Sequence, residues 1–340
     1  MDHIKISVIV PAYNVENYVR ECLDSLLKQS IINVMEIIMI NDCSTDTTGQ
    51  IMDEYARNHT NFHVHHKEKG GPGQARNYGM KFAQGKYIAF VDSDDCVSEK
   101  GYEKMLFLAE KNDTEIVIGN VMRFNSTQMS PSKLHQYIFF ENKDHTHIFE
   151  FPELVYDTSP CNKIIKKSFW ERNKISFPEN VLYEDIPPMI IAHVLASAIS
   201  VINEPIYYWR IRDEGEKSIT QQTSEMKNLL DRIKAINMVY DYFSLHWIPI
   251  SVKREFDYKN LSHDLKIYMN TLPDSDEQYQ RELMESIQPI LNRMDDIVFQ
   301  RLSFIDRQRY KYVKNMNMRK LNCMQKLARV KYNLKKMIKK

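Results

Sequence analysis

The sequence predicts an α/β fold: a mostly parallel sheet flanked by helices, followed by a helical carboxy-terminal region. Three observations predict it. Short β-branched runs alternate with amphipathic stretches over residues 1–120, the segments after those runs are polar and turn-forming, and helical spacing dominates 223–305. Strands covered by helices on both faces read as continuous apolar runs.

In chain order, a β-branched run at 4–10 reads as the first strand, 16–29 as an amphipathic helix, and Ile37-Ile38-Met39-Ile40 as the second strand. Helical spacing follows at 46–58, a third strand near His63 and His65, and a fourth at Tyr87-Ile88-Ala89-Phe90-Val91. Residues 121–150, rich in Ser, Asn, Lys and His, read as a loop excursion, and 151–219 as a mixed segment. Leu229, Ile233, Ile236, Tyr240 and Phe243 mark helical spacing in the second region, with Pro249, Pro273 and Pro289 as its punctuation. The organisation predicted is 1–220, 221–306 and a basic tail at 307–340.

The chain has 340 residues, 43% hydrophobic and 11% aromatic, a globular composition. Its net charge of +1 argues against a dedicated nucleic-acid binder. That balance conceals two opposed parts. Of the 46 basic residues, 13 lie in 307–340 with no acid among them, and the remaining 33 face 45 acidic residues, a net of −12. No run approaches the roughly 18–20 apolar residues of a membrane span, and the amino terminus reads as a strand rather than a signal peptide, so a cytoplasmic location is expected. Five scattered cysteines without a CxxC pair suggest neither a disulfide framework nor a zinc site. His63, His65 and His66 have no evident acidic or thiol partner and are not read as a metal site.

Ligands of such sheets sit beyond the carboxyl ends of the strands. Pro11-Ala12-Tyr13-Asn14 follows the first strand, Asn41-Asp42-Cys43-Ser44-Thr45-Asp46 the second, and Asp92-Ser93-Asp94-Asp95 the fourth. Clustered carboxylates repel one another unless donors or a cation hold them, and hard oxygen ligands suit Mg²⁺ or Mn²⁺. The same residues also serve as a solvated cap before a helix. Gly70-Gly71-Pro72-Gly73-Gln74-Ala75-Arg76-Asn77 matches neither a Walker A loop nor a dinucleotide fingerprint. It reads either as a plain turn with a surface arginine or as a turn presenting backbone N–H groups and Arg76 to an anion. Glu184-Asp185, before Pro187-Pro188, supplies either a general base or two acids favoured at a helix start. Arg210 to Ser218 reads as a salt-bridged loop or as a lid over a polyanion.

Taken in succession, Ser7-Val8-Ile9-Val10-Pro11-Ala12-Tyr13-Asn14, Asn41 to Asp46, Arg76-Asn77 and Val91 to Asp95 resemble the family 2 inverting glycosyltransferases of GT-A (Rossmann-like) fold. The resemblance is strong over 4–120 and extends through Ser159-Pro160-Cys161-Asn162-Lys163, Leu182 to Asp185 and 205–220. Within that family, Gly70-Gly71-Pro72-Gly73, Ser159-Pro160 and Glu214-Gly215-Glu216 look most like enzymes that glycosylate wall teichoic acid or build capsular polysaccharide; Lys217 departs from the histidine usual there.

The resemblance implies a UDP-sugar donor, of GlcNAc or another hexose, and a glycan or polyol-phosphate acceptor. It implies Pro11 and Tyr13 lining the uridine pocket, Asp42 on the uracil, Arg76 on the nucleotide and Asp92 near the ribose. It implies a divalent metal, Mn²⁺ or Mg²⁺, on Asp94 with Glu214 completing the site, and Asp185 as catalytic base supported by Glu184. A rival reading is a non-catalytic nucleotide-sugar or glycan-binding module in a polysaccharide assembly complex; a homo-oligomer is open on either.

Cys323, Met324, Leu327, Val330, Leu334, Met337 and Ile338 fall on one arc of a helix, broken by Lys331, with the other basic residues mostly elsewhere. Such a helix reads as a peripheral anchor on the anionic inner face of the cell membrane, or as an element packed on the acidic body.

Overall fold

The computed structural model describes residues 4–213, 225–324 and 326. The chain divides into two compact units, Met1–Gly215 and Glu216–Lys340.

The first unit runs β1 Ile6–Ala12, α1 Val19–Leu27, β2 Met35–Asn41, α2 Thr48–Asn58, β3 Phe62–His66, α3 Gly71–Met80, β4 Tyr87–Phe90, β5 Cys96–Val97 and α4 Gly101–Asn112. It continues with β6 Ile116–Phe124, β7 Met129–Pro131, β8 Lys143–Thr146, β9 Lys163–Lys166, α5 Lys167–Arg172, α6 Ile186–Leu195 and β10 Ile199–Arg210. The sheet order is β3-β2-β1-β4-β9-β6-β10-β5, with β7 beside β6 and β8 beside β10. Pairing is parallel among β3, β2, β1 and β4 and between β6 and β10, while β9 lies antiparallel between β4 and β6.

Every residue of β1 and β2 is buried, as continuous apolar runs require. The helices bury the stripes their spacing dictates: Val19, Cys22, Leu23 and Leu26 of α1, and Thr48, Ile51, Met52 and Tyr55 of α2. The stretch expected to be a loop from 121 is instead the end of β6, which pairs with β10 as far as Phe124. Ladder hydrogen bonds to β10 hold Val121 to Phe124 in the strand, a short end hidden by the polar composition of the stretch that follows it.

The second unit is helical: α7 Met226–Leu245, α8 Ile250–Lys259, α9 Leu265–Thr271, α10 Glu277–Arg293, α11 Asp296–Gln300 and α12 Phe304–Lys314. Leu229, Ile233, Ile236, Val239 and Phe243 are the buried apolar side of α7. Pro249 caps α8. Pro289 does not punctuate; it lies inside α10, which runs on to Arg293. The boundary expected between 306 and 307 falls within α12, where Tyr310 and Val313 are buried. The basic segment thus begins in a packed helix. Leu327 to Ile338, and with them most of the amphipathic arc, lie outside the described residues. Among the described residues no helix is long and apolar enough to cross a membrane.

Candidate active site

The site gathers at the carboxyl edge of the sheet. Asn14 after β1 and Cys43 after β2 both adopt left-handed backbone, with φ of 50° and 63°. The two loops are tied together: the Asn14 backbone N–H donates to Ser44 Oγ at 3.1 Å, Thr45 N–H to Asn14 Oδ1 at 2.8 Å, and Val15 N–H to Thr48 Oγ1 at 2.9 Å. Side-chain acceptors here satisfy backbone donors that leave the ladders. Pro11 is buried at the end of β1, while Tyr13 stays 39% exposed beneath Lys69, which lies 4.0 Å above its ring and donates to its hydroxyl.

Asp42, 4% exposed, accepts from Lys67 Nζ at 2.6 Å, Gly70 N–H at 2.9 Å and Gly71 N–H at 2.7 Å. The glycine turn therefore spends these two backbone donors on a carboxylate of the protein itself. Gly71 has φ +80°, which an L side chain resists. Gly73 answers a different demand: a Cβ there would meet the Pro178 carbonyl oxygen at 2.5 Å and Glu184 Cγ at 3.1 Å. Asn77, one turn on, grips the same segment with both ends of its amide, donating to the Phe177 carbonyl at 2.8 Å and accepting from the Phe177 N–H at 2.9 Å.

Arg76 occupies the centre of this arrangement. It is 4% exposed and donates from one terminal nitrogen to Asp92 at 2.7 Å and from the other to Glu184. Burial opposes its charge, but the carboxylates of Asp92 and Glu184 outweigh burial and hold the guanidinium protonated. Arg76, expected on the nucleotide, has two carboxylate partners within the protein and joins the strand-end acids to the Glu184-Asp185 pair.

Asp92 leaves 42% of its side chain accessible. Asp94 receives Nε and Nη2 of Arg212 on one oxygen, at 2.9 and 2.6 Å. Burial, reinforced by the charge of Asp92, pushes its carboxyl above the ordinary value although Arg212 opposes this. Asp95 is a structural acid: Tyr207 Oη donates to it at 2.6 Å and the Arg210 N–H at 2.7 Å. Burial, then Asp94 and Asp92, push it well up. Arg210 spans to Glu21 at 2.5 Å and donates to the Asp94 carbonyl at 2.7 Å. Of the two residues expected to hold a metal, Asp94 offers hard oxygen beside the half-exposed Asp92, while Glu214 lies outside the described residues, as does Lys217. No group of three or more His, Cys, Asp and Glu among the described residues is arranged for a metal ion.

Asp185 occupies the N-cap position of α6, two residues after Tyr183, a buried aromatic in left-handed backbone with φ 63°. A bulky residue pays for such a conformation only where its surroundings impose it. Behind this segment is a group that spacing does not reveal. Lys163 and Asp157 form a sealed ion pair at 2.8 Å, with His135 3.4 Å from Asp157 and Asn162 donating to it at 3.2 Å. Burial opposes the charge on Asp157, but Lys163 and then His135 hold its carboxyl below the usual range. The charge of Asp185 is felt at Lys163. His193 of α6 is wholly buried, and burial with the nearby Lys163 charge drives it down to about 3. His66, read as lacking an acidic partner, lies 3.1 Å from Asp53.

The α/β sheet gathers carboxylates around a buried arginine at its carboxyl edge, where ligands of such sheets bind, and the comparisons specify the class of protein. The model of the family described as glycosyl transferase family 2 matches residues 7–172. The glycosyltransferase GlyG of Streptococcus pneumoniae is 30% identical over 299 residues, 78% of this chain and 96% of that protein. The chain belongs to glycosyl transferase family 2. The poly(ribitol-phosphate) beta-N-acetylglucosaminyltransferase TarS of Staphylococcus aureus is 29% identical over 309 residues, 88% of this chain, which spans about half (52%) of that protein. The crystal structure of S. aureus TarS 1–349 in complex with UDP-GlcNAc superposes with a TM-score of 0.78 at 25% identity, covering 96% of this chain and 91% of that one.

Proposed function

We propose that this chain transfers a sugar, GlcNAc or another hexose, from a UDP-sugar to a hydroxyl of a polyol-phosphate or glycan polymer, with inversion at the anomeric carbon. The observation that carries the reading is Arg76: one guanidinium bonds Asp92 on the strand-end side and Glu184 beside Asp185, so groups suited to hold a donor and groups suited to activate an acceptor share one buried anchor. The similarity to TarS, whose crystal structure holds UDP-GlcNAc, supports the donor class.

In this reading the exposed ring of Tyr13 and the loop carrying Asp42 receive the nucleoside. Asp185 accepts the proton of the acceptor hydroxyl as its oxygen attacks, and Glu184, fixed by Arg76, sets the position of that segment. General-base assistance of this kind is worth ~10²–10⁴-fold. Asp94 and Asp92 present hard oxygen donors that would hold Mg²⁺ or Mn²⁺, and a bound divalent ion supplies charge neutralisation for a departing diphosphate. Arg212, now on Asp94, would yield part of that carboxylate on such binding.

A peripheral location on the anionic inner face of the membrane, through the basic tail, belongs to the same proposal and suits an acceptor assembled on a lipid carrier. A panel of UDP-sugars assayed for UDP release, with and without a poly(ribitol phosphate) acceptor, tests the function. Acceptor-stimulated release with at least one sugar is expected; UDP-sugar binding without turnover on any acceptor would return the chain to a binding role.

A further inference from the structure

Among the described residues of the first unit, four arginines are buried or partly buried. Arg76 bonds Asp92 and Glu184, Arg210 bonds Glu21, Arg212 bonds Asp94, and Arg123 has no carboxylate partner. Arg123 stands near the carboxyl end of β6, opposite Trp209 of β10 in the parallel ladder, with its guanidinium carbon 4.9 Å from the centre of the indole. Its Nε is buried and makes no hydrogen bond. The two terminal nitrogens are equally unbonded but are not sealed from solvent.

Among the described residues no carboxylate pairs with this charge, which stands at the edge of the sheet where the candidate site lies. Burial lowers the proton affinity of Arg123, and among the described residues the acid whose field opposes that is Asp95, itself engaged by Tyr207 and the Arg210 N–H. An aromatic face fixes a guanidinium plane and lets its fork meet an anion with little loss of side-chain entropy. The fork of an arginine matches the oxygens of a phosphate.

We propose that Arg123, backed by Trp209, is a phosphate-recognition site beside the transfer centre. This rests on the transferase reading, which brings phosphate from two sources, the donor diphosphate and the phosphodiesters of a polyol-phosphate acceptor. Arg123 is a specificity group here rather than part of the proton-transfer machinery.

The test compares full-length wild type with Arg123→Met, which keeps a stem over Trp209 without the charge, and Arg123→Lys, which keeps the charge without the fork. UDP affinity is measured by calorimetry, and the acceptor KM with a ribitol-phosphate oligomer and with an uncharged sugar acceptor. Arg123→Met is expected to weaken one of the two phosphate ligands by roughly 10- to 100-fold, with Arg123→Lys recovering part of it and the uncharged acceptor unaffected in KM. A change in UDP affinity assigns the donor diphosphate; a change confined to the oligomer KM assigns the acceptor phosphodiester. Unchanged values for both ligands in a variant that melts like wild type would overturn the proposal. Should Arg123→Met fail to fold, Arg123→Lys decides: a several-fold loss toward one phosphate ligand supports it, unchanged affinities overturn it. Wild type that releases no UDP with any acceptor contradicts the transferase reading instead, and calorimetric titrations of UDP and of the ribitol-phosphate oligomer into wild type and Arg123→Met then decide the role of Arg123.

Discussion

The guanidinium of Arg76 on α3 is bonded to the carboxylate of Glu184, 108 residues further along the chain, and both groups are almost wholly withdrawn from water. A buried pair of this kind is costly to break from one side, because the survivor is left charged and unpaired. Arg76→Met strands both Asp92 and Glu184. We expect a loss of about 3–5 kcal/mol in urea unfolding, together with loss of turnover. The double change Arg76→Met with Glu184→Gln should recover part of the stability and none of the activity, which distinguishes an anchor from a purely structural bridge.

Gly73 allows α3 to approach the segment that bears Glu184. Its missing Cβ would stand 2.5 Å from the Pro178 carbonyl oxygen, so Gly73→Ala must displace that backbone. Turnover is expected to fall at least tenfold with little change in UDP affinity, measured side by side. Equal turnover would show that the 177–184 segment tolerates the shift without consequence for the chemistry.

His193 makes stability depend on pH. Its folded value near 3 lies below the ordinary histidine value of about 6.5, so between these limits the unfolded chain binds a proton that the folded chain refuses. The stabilisation is complete above about pH 6.5 and is lost as pH falls toward 3, with a slope of up to about 1.4 kcal/mol per pH unit from this group. Urea melts at pH 7 and pH 5 should separate in the wild type and draw together in His193→Leu. Asp157 acts in the same direction at lower pH: its depressed carboxyl contributes above its unfolded value and loses that contribution as pH falls through the folded one.

Asp94→Asn removes the charge that Arg212 neutralises and a hard oxygen donor beside Asp92. Metal stimulation and activity should fall together, read as a titration of UDP release against Mn²⁺. Full activity of the wild type in excess EDTA would remove the divalent ion from the account.

Much of this organisation is legible in the sequence, and the residues show where legibility stops. Val8, Ile9 and Val10, or Ile37 to Ile40, announce strands because they are buried on both faces, and the acids after β4 stand out because repulsion makes such a cluster rare without a purpose. The end of β6 was hidden because Arg123 and its neighbours owe their strand to pairing with β10 rather than to their own pattern. Pairings across the chain are likewise invisible: no spacing rule connects Arg76 to Glu184, Arg212 to Asp94, or Lys163 to the sealed acid at Asp157. Ser159 to Lys163 carries a family resemblance but no pattern of its own that announces a buried charge. The burial that gives Lys163 and His193 their physical meaning comes from the fold.

In the proposed transfer Asp185 receives the acceptor proton, while other groups bind the nucleotide. Asp185→Asn, an isosteric change at the start of α6, tests this most directly when turnover and UDP affinity are measured on one preparation. We expect turnover to fall by roughly 10²–10⁴-fold with UDP affinity within about twofold of wild type. Near-normal turnover in that variant would contradict the account and place the base on another residue.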